Sequence, residues 1–186
     1  RQDNATLALA MEGGGMRGCV SAGMAAAIAC LGLTDAFDTI YGSSAGSVVG
    51  AYMISRQMCV DVYVDILPAA KKKFVCKRRL VRSIASSLAD VMVAGIKRNK
   101  KNSEGSSTPA STTTATPGMN ISYVLDGIMG EQHGLRPLDM KSFQENDEKQ
   151  QLRIVASTVD GNGNMFSKVF GSRDFFNETT MQQQVN

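Results

Sequence analysis

Residues 12–53 read EGGGMRGCVSAGMAAAIACLGLTDAFDTIYGSSAGSVVGAYM and carry most of the fold information in this 186-residue chain. The stretch holds two glycine-rich turns, and a short apolar run that suits a buried strand directly precedes each of them, at residues 6–11 and 37–41. A helical pattern follows each turn, and after the second it continues to about Met58. After the first it covers residues 16–31 and predicts an amphipathic or buried helix, with apolar residues at helical spacing at Val20, Met24, Ala27, Ile28 and Leu31. This repeated order of strand, turn and helix predicts an α/β fold with a mostly parallel sheet and helices on both of its faces.

The second turn, Gly42-Ser43-Ser44-Ala45-Gly46, has the Gly-x-Ser-x-Gly spacing of a nucleophile elbow. In such an elbow the serine adopts a strained backbone, and glycines like Gly42 and Gly46 leave room for the strand to turn sharply into the helix. The hydroxyl then lies beside a helix N-terminus, where developing negative charge is favoured. Small residues also cluster in ordinary turns, but the strand before this one and the helix after it favour the elbow. Ser44 is therefore the predicted nucleophile.

The first turn, residues 13–18, reads GGGMRG and leaves several backbone N–H groups uncovered at the start of a helix. Such donors can stabilise the oxyanion of an acyl-transfer reaction by roughly 3–4 kcal/mol each. The predicted oxyanion loop consists of Gly13, Gly14, Gly15, Arg17 and Gly18.

Two nucleotide-binding interpretations of the first turn fit less well. A P-loop needs Lys and then Ser or Thr after its last glycine, but Cys19 and Val20 follow Gly18. The spacing also matches a dinucleotide-binding fingerprint, which requires an acidic residue at the far end of the second strand. That strand begins with Asp38 and ends in Gly42, so nucleotide binding is disfavoured.

Composition limits the remaining chemistry. The chain has four cysteines without metal-type spacing, namely Cys19, Cys30, Cys59 and Cys76, and a single histidine, His133. From this inventory we expect neither a zinc site nor a cofactor. We expect the cysteines to be reduced thiols, packed in the interior of a cytoplasmic protein. No signal peptide or membrane-spanning stretch is recognisable. The length suits one domain over residues 1–186, which we expect to be C-terminally incomplete.

Residues 71–101 form a basic segment with eleven Lys/Arg and one acidic residue, Asp90, and so carry a net charge of +10. A helix here would suit the surface of a membrane or lipid droplet, although a core helix beside a solvated loop explains the pattern equally well. Nucleic-acid binding is disfavoured because aromatic residues are not interleaved with the charges. Residues 102–118 contain almost no apolar side chains, so the Ser/Thr-rich part of 71–118 is predicted to be a disordered insertion.

The two motifs of residues 12–53 closely resemble those of the patatin-like phospholipases, which share a GGGxRG loop and a GxSxG serine about thirty residues on. The similarity continues more loosely through residues 123–137 and 152–158, whereas 71–118 has no counterpart. The resemblance implies hydrolysis of lipid acyl esters, of the phospholipase, triacylglycerol lipase or lysophospholipid lipase type. It also implies Ser44 as the nucleophile, residues 13–18 as the oxyanion hole, and Arg17 as a brace for that loop or a contact to anionic substrate.

The same resemblance implies a Ser–Asp dyad, which leaves His133 without a catalytic role. Residues 151–159 read QLRIVASTV, and their β-branched side chains predict a third strand. The family's aspartate lies in an Asp-Gly-Gly or Asp-Gly-Ala motif downstream of this strand. We therefore expect the dyad base to be absent from these 186 residues, with Asp160 as the internal alternative and Asp126 disfavoured by its helical setting. A catalytically inactive lipid-binding or scaffolding relative that lacks the dyad aspartate is the alternative function.

Overall fold

The computed structural model describes residues 4–70, 73–75, 119–172 and 174. They fall into two compact units, the larger within Arg1–Ala69 and Asp126–Asn186 and the smaller within Ala70–Leu125. Apart from residues 73–75, the basic segment and the insertion predicted over 71–118 lie outside the described residues. The single-domain assignment stays a prediction.

The larger unit is built on a four-stranded sheet in the order β1-β2-β3-β4. Its strands are β1 (Ala8–Met11), β2 (Thr39–Gly42), β3 (Gln151–Val159) and β4 (Met165–Gly171). β1, β2 and β3 are parallel, and β4 forms an antiparallel hairpin with β3. The predicted α/β fold with a mostly parallel sheet is therefore confirmed, while β4 and the hairpin were not anticipated from the sequence.

The helices are α1 (Gly18–Cys30), α2 (Ala45–Ile54), α3 (Leu67–Ala70), α4 (Ile121–Leu125) and α5 (Met140–Asp147). Short 3-10 turns at Gly15–Arg17 and Thr34–Ala36 precede α1 and β2, and a π-helical turn at Val62–Ile66 precedes α3. None of the helices in the described part of the chain is long and apolar enough to cross a bilayer.

Helix α2 is the centre of the larger unit, since it contacts β1, β2, β3, α1 and α5. Gly50 allows it to approach the sheet closely, because a Cβ there would lie 2.9 Å from Leu152 Cδ1 and 3.1 Å from Ile40 Cγ2. The helix ends earlier than Met58 because Arg56 adopts a left-handed backbone with a φ of +59°. Tyr52, in the last half of α2, is fully buried.

Helix α1 buries a different face from the one that its hydrophobic periodicity predicts. The expected core positions Val20, Met24 and Leu31 are 63%, 64% and 71% exposed. The buried residues are instead the small ones, Gly18, Ala22 and Ala25. Because α1 packs against α2, small side chains on the contact face let the two helices approach, and the larger apolar side chains point outward.

Candidate active site

The two glycine-rich turns meet at one edge of the sheet. The last register pair of the parallel strands β1 and β2 is Met11 with Gly42, so both turns leave from the carboxyl ends of neighbouring strands. The Ser43 amide donates to the Met11 carbonyl over 3.2 Å. A Cβ on Gly13 would lie 2.7 Å from the Ser43 carbonyl oxygen and 3.0 Å from Ser44 Cβ. The oxyanion loop predicted from the sequence therefore lies directly against the predicted nucleophile.

Ser44 has the strained backbone expected of an elbow. Its φ is +49° and its ψ −118°, a region that residues with a side chain rarely adopt. The turn is held by Gly46 N–H donating to the Ser43 carbonyl at 2.9 Å, and by the Ser47 amide and hydroxyl donating to the Ser44 carbonyl at 3.0 Å and 2.5 Å. Ser44 precedes α2 directly, is exposed, and makes no side-chain capping hydrogen bond. Its hydroxyl is thus presented to solvent at a helix N-terminus.

The glycines that flank Ser44 are required by close backbone approaches. A Cβ on Gly42 would lie 2.5 Å from Ser47 Cα and 2.6 Å from the Ser47 nitrogen, where the strand folds back onto the helix. A Cβ on Gly46 would lie 2.2 Å from the Met11 carbonyl oxygen, where α2 passes the end of β1. Larger residues at either position would separate the elbow from its neighbours.

The loop of residues 13–18 turns through Gly15, whose φ of +56° suits glycine. The Arg17 amide donates to the Gly14 carbonyl over 3.1 Å, closing a 3-10 turn at the start of α1. Within the described part of the chain, the amides of Gly13, Gly14 and Gly15 donate no hydrogen bond. The Arg17 side chain is exposed and passes close to Gly14, since a Cβ on Gly14 would lie 3.4 Å from Arg17 Nε. Uncovered donors beside an exposed guanidinium make the loop suited to a negative charge.

Asp160 lies in the turn of the β3–β4 hairpin, which extends beyond the edge where the two glycine turns meet. Its carboxylate accepts hydrogen bonds from the Asn162 amide at 2.9 Å and from the Asn164 amide and side chain at 2.8 Å and 2.9 Å. The Asn164 side-chain bond, with these amides, lowers the pKa of the Asp160 carboxyl. The register partner of Gly42 on β3 is Ile154, and Asp160 lies six positions further on, roughly 20 Å along the strand. Its role as a base stays a prediction.

His133 and Asp126 both lie in the connection between α4 and α5, outside the two glycine turns. His133 is an exposed residue in a turn between α4 and α5, and Asp126 is an exposed residue directly after α4. No hydrogen bond of either side chain is present within the described residues.

The cysteines differ from the expectation of a uniformly packed interior. Cys59 is buried, and burial raises the pKa of its thiol to about 12. Cys19 and Cys30 are exposed because they lie on the outward side of α1. Cys76 lies outside the described residues. No group of three or more His, Cys, Asp or Glu residues that could hold a metal occurs in the part of the chain that the structure describes.

An apolar groove of about 550 Å³ begins beside the elbow and runs between α1 and the sheet. Glu12 and Ser43 line its end nearest the glycine turns, and Val20, Met24 and Tyr41 line its walls. The volume lies within the range of small-molecule sites, roughly 300–1,000 Å³. The outward apolar side chains of α1 therefore face a groove that leads to the candidate nucleophile.

Tyr63 is a part of the site that the sequence did not reveal. It belongs to the π-helical turn Val62–Ile66, is 4% exposed, and donates its hydroxyl to the Ala45 carbonyl at 3.1 Å. No motif marks this residue, because its importance comes from a contact with the residue after Ser44.

A parallel α/β sheet with a strained, exposed serine and a glycine-rich loop at the same edge is the architecture typical of serine acyl hydrolases. The family model for patatin-like phospholipases matches residues 9–185, and this chain belongs to that family. The family places the chain among lipid acyl hydrolases, with lipids as substrates. Neither the curated proteins nor the solved structures contained a significant match to the chain.

Proposed function

We propose that this protein hydrolyses lipid acyl esters through Ser44 as nucleophile and the amides of residues 13–18 as the oxyanion hole. The contact of Gly13 with the elbow carries the proposal, because it brings uncovered N–H donors next to the attacking hydroxyl. Ser44 Oγ forms a bond to the ester carbonyl carbon as its proton passes to a carboxylate base, and the amides stabilise the resulting oxyanion. Collapse expels the alcohol, which takes the proton, and water then hydrolyses the acyl-serine.

The groove beside the elbow supports a lipid acyl chain as the group that is transferred. Its walls include the apolar side chains of Val20, Met24 and Tyr41, and it opens at Ser43 next to the nucleophile. Each methylene buried there would contribute about 0.8 kcal/mol to binding. A long acyl chain gains more from such a groove than a short one, so ester hydrolysis should become more efficient with chain length.

The base in this reaction is proposed to be an aspartate other than Asp160. The Asp160 carboxylate is engaged by Asn162 and Asn164 in the hairpin turn. A general base must approach the nucleophile to about 2.6–3.2 Å or act through one water.

We also propose that the protein is cytoplasmic and meets membranes peripherally through the basic segment, residues 71–101. Its net charge of +10 would attract anionic lipid at about 1 kcal/mol per cation near the surface. The protein should therefore sediment with anionic vesicles and not with neutral ones, and high salt should release it by screening. Equal partitioning to both vesicle types would contradict this part of the proposal.

The nucleophile can be tested with a fluorophosphonate probe on the intact protein and two variants of the same turn. Ser44→Ala should abolish labelling and ester hydrolysis, while the neighbouring Ser43→Ala should still be labelled because it keeps the Ser44 hydroxyl. Each variant removes one hydroxyl from the elbow, so they are matched in size and position. Labelling of Ser44→Ala at the parent's level would contradict the assignment. Vesicle binding by a parent protein that is never labelled would favour the lipid-binding or scaffolding alternative.

A further inference from the structure

Tyr63 connects the two halves of the candidate site. Its hydroxyl donates over 3.1 Å to the carbonyl of Ala45, the first residue of α2, which directly follows Ser44. Its ring lies against Gly18, the first residue of α1, where a Cβ would be 2.5 Å from Tyr63 Cε1. The same Cβ would be 3.0 Å from that of Ala45. One side chain thus contacts the residue that ends the glycine loop and the residue that follows the nucleophile.

The burial and the backbone conformation of Tyr63 indicate that its contact with Ala45 is a constant part of the structure. The side chain is 4% exposed, so its hydroxyl depends on the Ala45 carbonyl for a buried hydrogen bond. Burial raises the pKa of the Tyr63 hydroxyl, which keeps it protonated and able to donate near neutral pH. The residue lies in the π-helical turn Val62–Ile66, a conformation found more often at functional sites than elsewhere.

We propose that Tyr63 is a positioning residue that holds Ser44 in register with the amides of residues 13–18. The inference rests on the proposed function of Ser44 and adds a residue outside both glycine turns. Tyr63 touches neither substrate nor nucleophile and acts through Ala45 and Gly18. A displacement of the nucleophile by about 1 Å can slow a reaction about 100-fold. Loss of a contact that positions Ser44 should therefore lower the rate of reaction.

Tyr52 provides a matched control. Like Tyr63 it is buried, and its hydroxyl donates to a backbone carbonyl, that of Arg136. It belongs to the last half of α2, away from the elbow at the helix N-terminus. Tyr63→Phe and Tyr52→Phe therefore each remove one buried hydroxyl and its hydrogen bond, but only Tyr63→Phe releases the residue after the nucleophile.

The rate of fluorophosphonate labelling of the intact protein should separate the two variants. Because one buried hydrogen bond contributes about 1–1.5 kcal/mol, Tyr63→Phe should slow labelling by about 5- to 13-fold. Ester hydrolysis should show the loss in kcat with KM unchanged. Tyr52→Phe should label within about 2-fold of the parent. Equal slowing in both variants, or labelling of Tyr63→Phe at the parent rate, would overturn the inference. If Ser44→Ala still loses labelling in either case, the proposed function stands.

Hydrogen exchange of backbone amides gives a second measurement that does not depend on catalysis. Tyr63→Phe should speed exchange in the first turn of α2, residues 45–48, because the Ala45 carbonyl loses its anchor. Tyr52→Phe should leave that turn protected. Equal protection of this turn in both variants would overturn the positioning role. A parent protein that is not labelled at all would contradict the proposed function. Hydrogen exchange would then still test whether Tyr63 holds the first turn of α2 in place.

Discussion

Gly46→Ala should destabilise the protein although alanine is the better helix former. Gly46 is the second residue of α2, and a Cβ there would lie 2.2 Å from the Met11 carbonyl oxygen and 2.8 Å from that of Glu12. Both neighbours are backbone atoms at the end of β1, so they can yield only if the strand and helix separate. Carbon–oxygen contacts normally lie near 3.3–3.6 Å, which requires a shift of about 1 Å.

The expected size follows from two opposing contributions. Inserting a methyl group into tightly packed backbone costs about 1–3 kcal/mol, and the rigidity on both sides places Gly46→Ala toward the upper end. The helix propensity of alanine offsets at most about 1 kcal/mol of this. A net loss of about 2 kcal/mol corresponds to a fall in Tm of roughly 4–8 °C for a protein of this size.

Gly23→Ala is the matched control for this prediction. Gly23 is an exposed residue within α1, and a Cβ there would meet nothing within 4 Å. Gly23→Ala gains the helix propensity of alanine without a steric clash, so the Tm of this variant should be about 2–4 °C above that of the parent. Thermal unfolding followed by circular dichroism measures both variants. If Gly46→Ala unfolded at or above the temperature of the parent, the close approach of α2 to β1 would be refuted.

Three further predictions concern other parts of the larger unit. Met24→Gln should leave Tm unchanged, because Met24 is exposed. Ala22→Leu should lower Tm, because Ala22 is 1% exposed and α1 packs against α2. The opposite result would show that α1 buries the face predicted from its hydrophobic periodicity. The Asp139 carboxyl caps α5, and hydrogen bonds led by the amide of the third helical residue, Ser142, lower its pKa. Its stabilisation is therefore present above the unfolded pKa of about 3.9 and is lost as pH falls through the lower folded value. Asp139→Ala should lower Tm at pH 7, and its difference from the parent should vanish in acid; a difference that persists at the lowest pH would rule out the charged cap. Asp160→Asn should leave fluorophosphonate labelling within about 2-fold of the parent, since removing a catalytic base typically costs about 100-fold or more; a loss of that size would identify Asp160 as the base.

The sequence alone determined those features that depend on local backbone requirements. A serine in a strained turn needs glycines where the chain folds back on itself, and the spacing of Gly42, Ser44 and Gly46 expresses that need directly. Residues 151–159, QLRIVASTV, are rich in β-branched side chains that favour an extended chain, and the structure forms the strand Gln151–Val159 at these bounds. The paired glycine motifs also identified the family before any tertiary contact was known.

The position at which α2 ends could not be predicted from the local sequence pattern. Apolar residues continue to Met58, but the helix ends at Ile54 because Arg56 turns into a left-handed conformation. The Arg56 guanidinium is held by Asp35 and by the Gln150 side chain, and Gln150 lies 94 positions further along the chain. Partners at such separation have no signature in the local sequence.

Only the tertiary structure decided which residues surround the candidate nucleophile. Hydrophobic periodicity assigned the large side chains of α1 to the core, but packing against α2 selected the small ones and turned Val20 and Met24 toward the groove. Tyr63 became part of the site through contacts with Gly18 and Ala45, and its own neighbours in sequence do not mark it. The physical reason is that hydrophobic periodicity indicates which apolar residues share a face of a helix. The shape of the surface that packs against the helix determines which of its faces is buried.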